Sequence, residues 1–192
     1  MRQFLLLLLI VSAGCSPSHK NPHVVIKTSL GSIEVELYPD KAPRTVAAFL
    51  SYIDSGYYNK TNFYRVLNLD NQPSNAPKAE LIQGGVFRSK TKKGIEPPGI
   101  PHETTTQTGL RHTDGTISLA RLAPGTASTE FFICIGDQPG FDFGGENNAD
   151  GQGYAAFGKV IKGLNVVQKV YNQREDNQYF DPPVPIFDIV RK

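Results

Sequence analysis

The chain has 192 residues and a net charge of +2, with 20 basic and 18 acidic side chains. A charge this small provides no basic surface for nucleic acid, so we expect no nucleic-acid partner. The length suits one domain that buries about 70% of the surface exposed by its unfolded chain.

The N-terminus has the pattern of a secretory signal. A positively charged start precedes the apolar run 4–11, which is shorter than the roughly 17–25 residues that cross a membrane as a helix. Small residues then lead to Cys15, and this arrangement resembles a bacterial lipoprotein signal, in which the cysteine becomes the lipidated first residue. The alternative is an ordinary secreted precursor cleaved near Ala13. The resulting predictions are a signal peptide over 1–14, lipidation at Cys15 and a polar tether over 15–21.

A lipidated Cys15 would place the protein in the bacterial cell envelope, with its domain in the periplasm or at the cell surface. The membrane would then be a partner only through the N-terminal lipid anchor. Modification of Cys15 would leave Cys134 alone, so no internal disulfide is expected. Cys134 lies in an apolar run, which indicates a core residue.

The domain begins with a predicted β-hairpin followed by a helix. Residues 33–37 alternate between apolar and polar types, which is the period of a half-buried strand, and the run 23–27 suits its partner. Pro43 can occupy the first turn of a helix, and apolar residues then recur at helical spacing up to Gly56.

Short predicted strands separated by loops make up the rest of the domain. A second helix is predicted over 164–171, and three prolines just before 186 limit the last strand to 186–190. Many short strands with only two helices predict a mainly β domain over 22–192, a barrel or a sandwich whose open ends the helices close. The other predicted strands are 62–67, 81–87, 116–120, 131–135 and 154–160.

Three of these strands carry a polar residue among apolar neighbours. Arg65 lies in FYRV, Gln83 lies in LIQGG, and Glu130 precedes FFI. A buried amide without partners costs about 1–3 kcal/mol, and glycine in a strand marks a bulge or a close approach. For Gln83 alone, a core bulge bonded to main chain is an equally good interpretation. The recurrence in three strands favours one shared site.

Taken in order, FYRV, IQGGVF, GTISLAR, EFFICIGDQP and DGQGYAAFGKVIKGLNVV resemble the motifs of bacterial cyclophilin-type peptidyl-prolyl isomerases. The resemblance covers about residues 22–191. It implies a closed eight-stranded antiparallel β-barrel capped by two α-helices. It also implies an enzyme that accelerates rotation of X–Pro bonds in envelope or secreted proteins and so assists their folding. Such an enzyme acts on proline-containing polypeptides as a monomer and needs no metal or cofactor.

The resemblance further implies roles for nine side chains. Arg65 corresponds to the catalytic arginine, and Gln83 to the glutamine that orients it, with the following glycines admitting the substrate backbone. Phe132 would form the floor of the proline pocket. The remaining substrate-binding positions are Leu81 in place of a methionine, Ala120 and Arg121 as the pair whose main chain bonds the substrate, Glu130 in place of a glutamine, Phe141 on the apolar wall, and Tyr154 in place of a histidine.

The sequence departs from the family pattern around the groove. Tyr64 replaces a histidine, Glu80 replaces a phenylalanine of the pocket wall, and the loop 68–79 is longer than in the family. Glu130 and Arg121 add an anion and a cation to one groove. We therefore expect Glu130 to pair with an arginine, Arg121 rather than Arg65.

Two alternative functions follow from the same residues. Glu80 and Glu130 favour a catalytically weak cyclophilin-like module that binds proline-containing segments. A lipid-anchored carrier with a hollow barrel, such as a lipocalin, is disfavoured because that class usually has Gly-X-Trp near its first strand, and this chain has no tryptophan.

Overall fold

The structure is a computed structural model that describes residues 21–89 and 97–192. The predicted signal peptide, Cys15 and all but the last residue of the tether lie outside the described residues. The strands are β1 (His23–Thr28), β2 (Gly31–Leu37), β3 (Thr61–Leu67), β4 (Leu81–Gly85), β5 (Thr116–Leu119), β6 (Phe131–Cys134), β7 (Ala155–Lys162), β8 (Glu175–Asp176) and β9 (Tyr179–Arg191). The helices are α1 (Pro43–Asp54), α2 (Thr105–Thr108) and α3 (Leu164–Tyr171), with a 3-10 turn over Pro139–Phe141.

The strands form one antiparallel sheet in the order β1-β2-β7-β5-β6-β4-β3-β9, and pairing of β9 with β1 closes it into a barrel. The two-residue β8 pairs only with β9 and lies beside the barrel wall. The predicted closed eight-stranded barrel is therefore confirmed. The two predicted helices are α1 and α3, whose apolar faces pack into the barrel core. Among the described residues, no helix combines the length and the apolar character needed to cross a membrane.

The last strand is longer than predicted. It runs from Tyr179, and it contains the prolines that were expected to exclude it. The pairing of β3 with β9 jumps from Val184 to Tyr179, so Pro182 and Pro183 lie in an irregularity where no ladder hydrogen bond requires their missing N–H groups. Pro185 remains in the ladder and accepts a hydrogen bond through its carbonyl oxygen.

A bulge in β3 turns Arg65 to the outside of the barrel. Phe63 pairs with Gly84 and Arg65 pairs with Gln83, so Tyr64 is the extra residue on its strand. Without the bulge, alternation would point Arg65 into the core with Phe63. With it, both Tyr64 and Arg65 face outwards, and Val66 returns to the core.

The barrel wall carries apolar residues on both of its faces. On β6, Phe131 and Ile133 belong to the core inside the barrel, whereas Phe132 and Cys134 belong to a second buried cluster outside it. This outer cluster forms the base on which the candidate site is built. Its members are Leu67, Ala79, Leu81, Phe132, Cys134 and Phe141, with Ala120 and Tyr154 packed against them.

Candidate active site

A groove of about 770 Å³ crosses the outer face of the barrel above the outer cluster. Its base is aromatic: the rings of Phe132, Phe141 and Tyr154 lie 5.2–5.4 Å apart, centroid to centroid. The structure brings all nine predicted site residues to this groove. An apolar base flanked by a few polar groups is the usual form of a ligand site.

Polar residues along the groove form a chain of hydrogen bonds that runs in one direction. Arg65 Nη1 donates to Gln83 Oε1 at 3.3 Å, and because a guanidinium only donates, the amide nitrogen of Gln83 must face the other way. That nitrogen donates to the Tyr64 hydroxyl at 2.7 Å, which donates to Glu130 Oε2 at 2.8 Å. The Glu130 carboxylate therefore sets the polarity of the whole chain.

The carboxylate of Glu130 also holds the segment that follows β4. Its Oε1 atom accepts from the main-chain N–H groups of Val86 and Phe87, at 2.8 and 3.0 Å, and from the Thr129 hydroxyl at 3.2 Å. The prediction that Glu130 pairs with an arginine is therefore wrong: its partners in the described part of the chain are Tyr64, Thr129 and main chain. Within the described ranges, its charge is balanced by converging donors and not by a cation.

The two glycines after Gln83 make room for side chains of the protein itself. A Cβ atom on Gly84 would lie 2.9 Å from the Phe63 ring, and one on Gly85 would overlap the Glu130 carboxylate. Gly85 also has φ +146°, which side chains rarely adopt. Both glycines therefore have an internal packing role, and their admission of the substrate backbone stays a prediction.

Burial controls the protonation of the hydrogen-bond chain. It raises the pKa of the Glu130 carboxyl, against the opposing effect of the donors around it. Burial also raises the pKa of the Tyr64 phenol, and the nearby Glu130 raises it further. Tyr64 consequently remains protonated, and remains a donor, at any physiological pH.

A second amide, Gln178, bonds Arg65 from the side opposite Gln83. Arg65 Nη2 donates to Gln178 Oε1 at 2.7 Å. Gln178 was not among the predicted site residues, because the last strand was predicted to begin only at 186 and the turn between β8 and β9 was not expected. The all-polar run 172–178, with the turn-forming Asn177 near its end, is the signal that could have revealed a turn before Tyr179.

The guanidinium of Arg121 pairs with Asp150 and not with Glu130. The side chain is 1% exposed, and its two Nη atoms bond both carboxylate oxygens of Asp150 at 2.7 and 2.9 Å. Its Nε donates to the carbonyl of Gly153 at 2.9 Å, so Arg121 fixes the segment just before Tyr154. The hydrogen bond from Arg121 lowers the pKa of Asp150 to about 2. Asp150, which was not among the predicted site residues, is therefore the charge partner of Arg121.

Contacts within the protein change the roles expected of Ala120 and Glu80. The N–H of Ala120 donates to the carbonyl of Glu130 at 2.9 Å, so a substrate bond at Ala120 requires its carbonyl oxygen. The carboxylate of Glu80 accepts a hydrogen bond from the Tyr171 hydroxyl. Glu80 does not belong to the described residues that line the groove. The loop 68–79 supplies the wall in its place, with Ala76, Pro77 and Ala79.

The long loop is tied to the opposite wall of the groove. The Asn147 side chain donates to the carbonyl of Pro77 at 3.2 Å and so connects the loop 68–79 to the segment held by Arg121. Within the loop, Gln72 donates to two carbonyls and accepts from Ala79. These bonds give the wall of the groove a defined shape.

A Ser–His–Asp constellation lies behind the groove floor. His112 bonds Asp142 at 2.8 Å and the Ser118 hydroxyl at 3.1 Å, and its ring stacks on Phe132 at 6.0 Å between centroids. Ser118 is fully buried at 0% exposure, so its hydroxyl cannot meet a substrate carbonyl. The constellation supports the aromatic floor and does not form a hydrolytic triad. Within the described ranges, no group of three or more metal-ligating side chains converges.

The Asp142→Asn substitution tests this support. The hydrogen bonds and charge of His112, together with Arg111, lower the pKa of Asp142 below its usual value despite its burial. A depressed carboxyl pKa stabilises the fold above the unfolded-state pKa of about 3.9, and this stability is lost as the pH falls through the folded value. We expect Asp142→Asn to be less stable than wild type at pH 7, by urea unfolding. The difference should shrink below about pH 4, and a pH-independent difference would contradict the charge role.

The sequence model of the family "Cyclophilin type peptidyl-prolyl cis-trans isomerase/CLD" matches residues 23–191, and the chain belongs to this family. It is 37% identical to peptidyl-prolyl cis-trans isomerase A of Dickeya dadantii, over 81% of this chain and 74% of that protein. It is 34% identical to peptidyl-prolyl cis-trans isomerase B of Escherichia coli, over 87% of this chain and 94% of that protein.

A solved structure agrees with this assignment. A cyclophilin type peptidyl-prolyl cis-trans isomerase of Cryptosporidium parvum, determined in the presence of the dipeptide Ala-Pro, aligns with a TM-score of 0.68 and 26% identity. The alignment covers 88% of this chain and 97% of that chain. The predicted family and enzyme class are confirmed: the chain is a peptidyl-prolyl cis-trans isomerase of the cyclophilin type.

Proposed function

We propose that the groove binds proline-containing polypeptides and that Arg65 is the group that accelerates rotation of their X–Pro bonds. The observation that carries the proposal is the Arg65 guanidinium, which two amides hold at the edge of an apolar pocket. Family membership and the relative solved with Ala-Pro support the substrate class.

The proposed mechanism follows from the electronic structure of the peptide bond. Rotation meets a barrier of about 18–20 kcal/mol because amide resonance must be broken. In the twisted state the prolyl nitrogen becomes pyramidal and carries a lone pair. A guanidinium that donates to this lone pair stabilises the twisted state more than the planar states, which is the condition for catalysis. A charged hydrogen bond contributes about 1.5–3 kcal/mol, or roughly a ten- to hundredfold rate increase.

The remaining acceleration is assigned to substrate binding. Phe132 is the floor for the proline ring, with Leu81 and Phe141 beside it in the outer cluster. The carbonyl of Ala120 is the acceptor for the substrate main chain, since its N–H is already bonded. Fixing the proline while the preceding carbonyl rotates reduces the entropic part of the barrier.

The direct test is two-dimensional exchange spectroscopy on a peptide with one X–Pro bond, which measures the rate without a coupled protease. We expect cis and trans signals to exchange faster in the presence of catalytic amounts of the protein. The alternative function, a binding module with weak catalysis, predicts peptide shift changes without faster exchange. That result would overturn the proposed activity and support the alternative.

We also propose that the mature protein is a monomer anchored through lipid on Cys15 in the bacterial cell envelope. The supporting observation is the apolar run that ends in small residues before Cys15. Envelope or secreted proteins would then be the substrates.

The Cys15→Ser substitution tests the anchor. Without the thiol no lipid can be attached, so we expect the variant to lose incorporation of labelled fatty acid and to move from the membrane fraction to the soluble envelope fraction. Cys134→Ser is the matched control, because Cys134 is buried in the outer cluster of the folded domain. An unlabelled wild-type chain that fractionates like Cys15→Ser would contradict the anchor.

A further inference from the structure

Gln178 occupies a position that disfavours its residue type. Asn177 and Gln178 form the two-residue turn between β8 and β9, and their φ angles are +50° and +72°. Turns with two positive φ values favour asparagine and glycine, and glutamine there is uncommon. Residues kept in such conformations concentrate where their side chains have a function.

Every polar atom of Gln178 has a partner in the structure. Its N–H donates to Glu175 at 2.8 Å, and its carbonyl accepts from the N–H of Val66 at 2.9 Å. Its side-chain nitrogen donates to the carbonyl of Asn71 at 3.1 Å. Because that carbonyl can only accept, the side-chain oxygen must face Arg65. Main chain and amide together fix the acceptor 2.7 Å from Arg65 Nη2.

We infer that Gln178 is a positioning residue for Arg65. Gln83 holds Nη1 and Gln178 holds Nη2, so the two amides define the plane of the guanidinium and prevent its rotation. The other N–H groups of the guanidinium are thereby aimed in one direction. This inference rests on the proposed function, in which those groups meet the prolyl nitrogen.

The long loop 68–79 also contributes to the positioning of Arg65. Asn71, which orients the amide of Gln178, also donates from its side chain to the carbonyl of Val66 at 3.1 Å. The loop therefore braces both the strand that carries Arg65 and the amide that holds it. This provides a role for the additional loop length noted in the sequence.

The Gln178→Gly substitution separates positioning from structural support. Glycine accepts the positive φ without strain, which offsets the entropy that it adds to the unfolded chain, so the variant should stay folded and unfold at a temperature close to that of wild type. It lacks the amide, so kcat/KM for the X–Pro peptide should fall about five- to tenfold, mainly through kcat, with the peptide affinity nearly unchanged. Asn177→Gly is the matched control in the same turn, since Asn177 bonds only its neighbour Asp176 among the described residues; it should leave the rate unchanged.

Two further measurements decide the interpretation. Restricted rotation of the guanidinium should give Arg65 separate Nη–H signals in low-temperature NMR spectra of the wild type. These signals should merge in Gln178→Gly but not in Asn177→Gly. In an Arg65→Ala background, Gln178→Gly should have no further effect on the rate. Unchanged Nη–H signals, an unchanged rate, or an equal loss in the Arg65→Ala background would overturn the inference. If the wild-type protein shows no isomerisation, the proposed function fails, and the Nη–H signals still test positioning independently.

Discussion

Replacing Arg65 by alanine should lower kcat/KM for an X–Pro peptide about ten- to a hundredfold, the equivalent of one charged hydrogen bond in the twisted state. The loss should appear mainly in kcat, because the proline ring would still pack on Phe132. The fold should remain intact, since Arg65 lies outside the barrel core. Exchange spectroscopy measures the rate, and thermal unfolding monitors the fold.

Arg65→Lys distinguishes charge from geometry. A single ammonium group cannot contact Gln83 and Gln178 in the planar arrangement of a guanidinium, so most of the rate loss should remain. The matched control is Arg174→Ala, which removes an arginine whose side chain is 79% exposed and pairs with Asp181; its rate should equal that of wild type. A folded Arg65→Ala protein with the wild-type rate would falsify the catalytic role of Arg65.

Of the substitutions considered, replacing Glu130 by leucine should destabilise the protein most, by about 2–4 kcal/mol in the free energy of unfolding. Four donors converge on this carboxylate, from Tyr64, Thr129 and the main chain of Val86 and Phe87. An unsatisfied buried donor costs about 1–3 kcal/mol, and water entering from the groove should recover part of the sum. The rate should also fall, because Tyr64 and Gln83 lose the acceptor that orients them.

Urea unfolding of Glu130→Leu, Glu130→Gln and wild type tests this prediction. Glutamine keeps one acceptor for the main-chain N–H groups but presents its NH₂ group to Tyr64, so we expect an intermediate stability. Glu146→Ala, at an exposed glutamate of the same groove, controls for the loss of a carboxylate and should leave stability unchanged. If Glu130→Leu unfolds at the wild-type urea concentration, the carboxylate is not an anchor for these donors.

Local patterns were sufficient for most of the fold. The alternation over 33–37 corresponds to β2, and the apolar spacing over 164–171 corresponds to α3. Each of these elements buries one face, so the period of its residues reports its structure directly. The start of β9 was not predictable in this way, because a bulge makes two prolines harmless and depends on pairing with β3.

Local motifs were likewise sufficient for some features of the site and not for others. The sequence motifs predicted which residues gather at the groove, because strand order brings their positions together. They did not predict the hydrogen-bond partners, which are set by distant elements: Tyr64 and Glu130 are 66 positions apart, and Arg65 and Gln178 are 113 apart. The expected pairing of Glu130 with Arg121 was wrong because Asp150, on another loop, competes for that guanidinium.

The closure of the barrel by its first and last strands also sets when the domain can fold. β9 is the neighbour of both β1 and β3, and Val24 pairs with Arg191 near the end of the chain. A growing polypeptide therefore lacks the strand that completes the sheet until all the other strands have been made. Contacts between residues so far apart in sequence also slow folding. Until β9 pairs, the facing edges of β1 and β3 stay open, and unpaired strand edges are sites at which chains associate.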